Sequence, residues 1–133
     1  QQVEQHVHAH MDALAHPIAV PRWRERVLAS VAELANDFRQ HRDLTEGDAG
    51  WYAAILADAP QLASQIDRLT SEHLEISAAV AQMLAHLEAE GPLVDAAGTR
   101  EDLTTLVGQL IRHRQQGSDL TYAAYAWDLG GSG

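Results

Sequence analysis

The chain contains no cysteine, which excludes disulfides, thiolate metal sites and cysteine nucleophiles and leaves the redox compartment unread. Lysine is absent too: all nine basic residues are arginine, set against 19 acidic ones. The net charge of −10, with histidine neutral, repels phosphate backbones and anionic lipid, so neither nucleic acid nor a membrane surface is an expected partner. No apolar run approaches the roughly 20 residues that span a bilayer, and no secretory signal pattern opens the chain at Gln1. A cytoplasmic protein is the expectation. Clean alternation with period 2 is also missing and β-branched residues are scattered, which leaves little support for strands.

What is present is helical. The 133 residues, 46% of them apolar, suffice for one domain over 1–133 with a buried core. Good helix formers dominate, and breakers punctuate them at Pro17 and Pro21, Gly47 and Gly50, Pro60, and Gly91, Pro92 and Gly98. Helices are expected over about 2–15, 22–46, 59–90 and 99–127. The third has the clearest apolar seam: Leu62, Ile66, Leu69, His73, Ile76, Val80, Met83 and Leu87 step by 4 and 3 throughout. The second reads Val27, Val31, Leu34, Phe38, His41, and the fourth Leu103, Leu106, Leu110, His113, Gly117, Leu120, Ala124. The first reads Val3, Val7, His10, Leu14. Short, breaker-rich connections imply an all-α, up-down-up-down four-helix bundle. A short extra helix near 51–57 is expected between the second and third rods. Thr99 with Asp102 is the candidate cap of the last one.

One histidine of the eight continues the seam of each helix: His10, His41, His73 and His113. An imidazole buried without a partner costs free energy, and a metal ion is one way to satisfy it, since neutral imidazole ligates iron, zinc and copper. Carboxylates stand nearby at Glu46, Glu72, Glu75 and Asp119, and inward-facing His plus carboxylate is how bundle metal sites are built. Axial level favours one pair. If the third helix ends near Glu90 and the fourth begins near Thr99, His73 and His113 lie 17 and 14 residues from the connection. The offset is three residues, roughly 5 Å, so these two can face each other. His41 sits near its helix end, and His10 levels with the first half of the second helix.

Three runs carry a family resemblance: His41-Arg42-Asp43-Leu44-Thr45-Glu46-Gly47 with Trp51-Tyr52, Arg68-Leu69-Thr70-Ser71-Glu72-His73, and His113 through Tyr122 with the following Ala124-Tyr125. From Trp23 onward the chain resembles small bacterial hemerythrin-like (HHE-type) proteins. The resemblance implies a bundle with non-haem iron, one or two ions, held by His and carboxylates. It also implies dioxygen, nitric oxide or peroxide as the small ligand. Carried over, the metal ligands are His41, Glu46, His73 and His113, with Asp119 for the fourth-helix carboxylate and His10 for the first-helix ligand; Glu72 flanks His73. The pattern departs from the family in three places. Glu46 follows His41 by five, about 140° away on an ideal helix; Leu69 replaces a histidine; and Asp119 follows His113 by six. The implied site is therefore reduced or altered.

Other readings of the same residues stand beside this one. His73 and His113 are also explained as core imidazoles hydrogen-bonded to Glu72, Tyr122 or a backbone carbonyl, in a metal-free interaction or scaffold module and a possible homodimer. A transferase-type bundle of the DinB kind also uses three inward histidines. Trp51, Tyr52, Tyr125 and Trp127 are expected to cover the bundle ends rather than to line a ligand pocket.

Overall fold

The structure, a computed structural model, describes residues 22–130. They are mostly helical, with no strand among them. Helix α1 spans Trp23–Thr45, α2 Trp51–Asp58, α3 Ala63–Glu88 after a single 3-10 turn at Pro60–Leu62, and α4 Ala96–Gly130. The expected first helix and His10 lie outside the described residues. The short helix between the second and third long rods is present where the sequence placed it.

Helix α3 is the central rod and packs against both α1 and α4. It runs antiparallel to each, as three cross-links show. Arg24, at the start of α1, donates from Nε to the Leu87 carbonyl at 2.9 Å and from its terminal nitrogens to the carbonyls of Ala89 and Gly91. One guanidinium thus satisfies carbonyls left open at the end of α3. Arg42, near the end of α1, reaches Ser77 Oγ at 3.0 Å. His86 near the end of α3 meets Thr99 Oγ1 near the start of α4 at 2.7 Å.

Two helix ends depart from expectation. Helix α4 begins three residues before Thr99 because Asp95 caps it: the Gly98 amide donates to Asp95 Oδ1 at 2.9 Å, an N-terminal carboxylate cap that also suits the helix dipole. Thr99 is buried and donates instead to the Asp95 carbonyl at 2.9 Å. Helix α1 stops at Thr45, with Glu46 in extended conformation and Gly47 at φ 91°, a left-handed value that glycine adopts without Cβ strain. Gly50 then caps α2, where a Cβ would stand 2.3 Å from the Glu46 carbonyl oxygen.

The seams read from the sequence form two separate apolar clusters. Trp23, Val27, Val31, Leu34 and Phe38 of α1 join Ile76 to Leu87 of α3 and Leu103 to Leu110 of α4. Tyr52, Ile55, Ala59, Leu62, Ile66, Leu69 and Leu120 form the other. Between them along α3 lies His73, and along α4 His113. A polar layer splits the core.

Truncation separates core from surface. Leu34, wholly buried, should lose about 3 kcal/mol on change to alanine through lost transfer energy and the cavity left behind. Leu44, 73% exposed, should lose less than about 0.5 kcal/mol; urea midpoints at constant slope check both.

Candidate metal centre

Each long described helix delivers one imidazole to a common level. His73 is fully buried, His113 is 5% exposed and His41 is partly buried. Ring centroids are 4.8 Å apart for His73 and His113, 5.0 Å for His41 and His73, and 5.5 Å for His41 and His113. One ring nitrogen from each lies within 4.8 Å of the other two. Phe38 stands over all three, its ring centroid 5.5 to 5.9 Å from theirs, and closes the layer against the larger apolar cluster.

Two carboxylates orient two of the rings. His73 Nδ1 lies 2.5 Å from Glu46 Oε2, and His113 Nδ1 lies 2.7 Å from Glu72 Oε1. Both carboxylates have further support. Arg42 Nε donates to Glu46 Oε2 at 3.3 Å, and the Gln116 amide, turned with its nitrogen toward Glu72, donates at 2.6 Å. Burial works to raise the Glu46 pKa, but the hydrogen bond and charge of His73, with Arg42, outweigh it and leave Glu46 below its ordinary value. An ionised Glu46 accepts a hydrogen bond from Nδ1–H, which fixes the His73 tautomer and leaves Nε2 as the lone-pair nitrogen. The same assignment at His113 leaves its Nε2 for ligation. A carboxylate behind an imidazole in this way is the usual support of a metal-bound histidine.

The remaining nitrogens have little to satisfy them. Among the described residues His41 Nε2 is buried with no hydrogen-bond partner, a state that costs free energy unless another group takes the lone pair or proton. His73 Nε2 is met by the Tyr52 hydroxyl at 3.3 Å, with the two rings stacked at 5.7 Å. The Tyr52 pKa is pushed up to about 12, chiefly by burial and further by Glu46 and Glu72, so the hydroxyl is a neutral donor. His41 is lowered to about 4, first by burial and then by His73 and His113. His73 is also lowered, again first by burial, with Glu46 working against the shift. Around neutrality these two rings are uncharged, the form that ligates.

The three described imidazoles could hold one metal ion. Metal–nitrogen bonds of about 2.0–2.1 Å in a tetrahedral site place nitrogens roughly 3.4 Å apart, so the rings need close in only by about an ångström. Among the described residues no further histidine or carboxylate joins them. Glu46 and Glu72 hold imidazoles from behind. Asp119 is exposed and accepts from Gln115 Nε2 at 3.1 Å, away from the cluster. Leu69 is part of the second apolar cluster. Arg42 and Gln116 stand inside the quoted runs without an assigned role, and Tyr52, expected to cover a bundle end, instead hydrogen-bonds His73.

A cavity of about 750 Å³ opens onto the cluster between α1 and α4, with His41, His113 and Tyr52 in its wall. Trp51, Tyr122 and Tyr125 line it as well. The aromatics expected to cover the bundle ends therefore surround this space, apart from Trp127, whose Nε1 donates to the Asp58 carbonyl at 2.8 Å and ties α4 to α2.

The depressed His41 pKa has a consequence for the metal-free protein. The unfolded chain binds a proton at this site from pH 6.5 downward, whereas the folded chain resists until about 4. Stability conferred by the neutral ring is present above 6.5 and is lost as the pH falls toward 4. Between pH 7 and 5.5 the loss should be roughly 1 kcal/mol, a few degrees of melting temperature. His41→Leu should show a flatter thermal profile over that interval.

Comparison of the chain with protein-family models, with curated proteins and with solved structures returns no match, so the donor geometry is what carries the functional reading.

Proposed function

We propose that this chain is a metal-binding helical bundle in which His41, His73 and His113 hold a single transition-metal ion with at least one coordination position open. The observation that carries the reading is the buried Nε2 of His41, without a partner among the described residues, beside two rings whose Nδ1 atoms are already engaged by carboxylates. Three imidazole nitrogen donors suit iron, zinc or copper; the hemerythrin-like resemblance favours iron. Such an ion, when bound, supplies a Lewis-acidic centre with an exchangeable position, the chemistry on which dioxygen, nitric oxide or peroxide handling rests. In the same reading residues 2–15 complete an up-down-up-down bundle.

The protein's own residues have separable tasks. Glu46 and Glu72 hold the His73 and His113 tautomers and raise the basicity of the opposite nitrogen. Phe38 keeps water from that face. Tyr52 hydrogen-bonds the His73 donor and must release it to ligation, which places a phenolic hydroxyl beside the open side.

A metal-free interaction module is the second reading, favoured by the Tyr52–His73 hydrogen bond, which satisfies one lone pair without any ion. Elemental analysis of protein purified without a histidine tag separates the two. One equivalent of iron, zinc or copper per chain is expected, with at least a tenfold loss of affinity in His73→Ala and none in Asp119→Asn. Glu46→Gln should weaken binding roughly 10–100-fold, and Tyr52→Phe should strengthen it a few-fold. No stoichiometric metal, together with a melting temperature indifferent to chelator, would establish the second reading.

A further inference from the structure

The histidine layer has two unlike sides along the bundle. Its three donor nitrogens come from three rods at one level, so they form a triangle across the bundle. The remaining vertex of a tetrahedral site then points along the rods, one way or the other. On one side Phe38 covers all three rings at 5.5 to 5.9 Å and offers only carbon. On the other, in the smaller apolar cluster, stands Tyr52. In the metal reading the open position faces the tyrosine, whatever covers the flank between α1 and α4.

Tyr52 is held there. It is 5% exposed, and its ring lies against His73 with centroids 5.7 Å apart and planes 18° from parallel. Its oxygen is 3.3 Å from His73 Nε2. That distance puts the hydroxyl at the edge of the coordination sphere, where neighbouring ligand atoms are roughly 3.4 Å apart. Ligation takes the Nε2 lone pair and so removes the acceptor of the phenolic proton. Among the described residues Thr45 is the phenol's other hydrogen-bonding neighbour, and its own proton goes to the His41 carbonyl at 2.9 Å. A buried donor deprived of its acceptor is costly, and a hydrogen bond to an anion is the stronger kind.

We propose that Tyr52 is a specificity-determining residue of the metal centre: its hydroxyl donates a hydrogen bond to a small anion in the open position and favours anions whose bound atom keeps a lone pair. Peroxide and azide are of that class. Nitric oxide and nitrogen-bound thiocyanate, whose bound atoms are poor acceptors, are not. The assignment rests on the metal reading.

Infrared titration of the metal-loaded full chain with azide and with thiocyanate tests it. Both are linear triatomic anions of equal charge, so the acceptor at the bound atom is what separates them, and both absorb clear of the protein with iron, zinc or copper as the ion. Azide should bind at least tenfold more weakly to Tyr52→Phe, with thiocyanate unchanged within about threefold. Metal content should stay at one equivalent, and metal affinity should rise a few-fold as the competing hydrogen bond is lost. Those opposite signs are not produced by a merely structural tyrosine, whose loss weakens both. The stretch of bound azide should shift between light and heavy water in the parent and not in Tyr52→Phe. Equal azide affinity in the two proteins, the result if the hydroxyl turns to Thr45, overturns the assignment and leaves the metal reading standing, as does a loaded parent that binds no azide. A tenfold loss of metal affinity in Tyr52→Phe also overturns it, because the phenol is then itself a ligand. Failure of the chain to load iron, zinc or copper removes the metal reading and the assignment together.

Discussion

A buried imidazole has two nitrogens to satisfy, and the interior of this protein provides carboxylates for one nitrogen on each of two rings. The Glu46–His73 and Glu72–His113 hydrogen bonds set ring orientation and tautomer in a layer that is otherwise apolar, and hold the opposite nitrogens in reserve. Breaking either bond would strand a buried imidazole nitrogen, where unpaired polar groups are expensive, while the partly exposed carboxylates could turn to solvent. The third ring, His41, has no such support for Nε2. That asymmetry is what supports the proposed metal-binding reading over a self-contained polar network.

The rest of the fold can be understood as what holds this layer in place. The larger apolar cluster fixes the relative heights of α1, α3 and α4 from one side, and the smaller cluster, built on α2 and the first turns of α3, closes the other. Arg24 pins the start of α1 to the end of α3, so the antiparallel register that brings 41, 73 and 113 together is fixed far from them. The stabilising work lies in the two clusters. The histidine layer between them spends part of that stability, as functional sites commonly do.

Much of this was legible in the sequence because helical periodicity is a strong signal: a 4-and-3 seam that passes through His73 or His113 forces that side chain inward along with its leucine neighbours. The position of Glu46 was not legible in the same way. Counting 100° per residue put it away from His41, but α1 has already ended at Thr45. An extended residue can swing its carboxylate to a neighbouring helix, which a helical wheel does not capture, and helix ends are the least certain part of any such reading. Asp119 looked plausible for the opposite reason. Within α4 the wheel does hold, and six residues after His113 it faces solvent beside Gln115. Tyr52 was expected only to cover a bundle end, because its contact with His73 depends on how α2 folds across the layer, a tertiary fact with no local signature. The same applies to the cavity: Gly117 stands in the seam, but only the packing shows that no side chain of the described residues meets it.

The central claim is that three imidazoles, with carboxylates behind two of them, make the inner coordination sphere of one ion. X-ray absorption spectroscopy of the iron- or zinc-loaded full chain addresses it most directly. Three imidazole scatterers at about 2.0–2.1 Å, light oxygen scatterers completing the shell, and no metal–metal vector are the expected result. A metal–metal vector, or a shell dominated by carboxylate oxygens with fewer than two imidazoles, would contradict it.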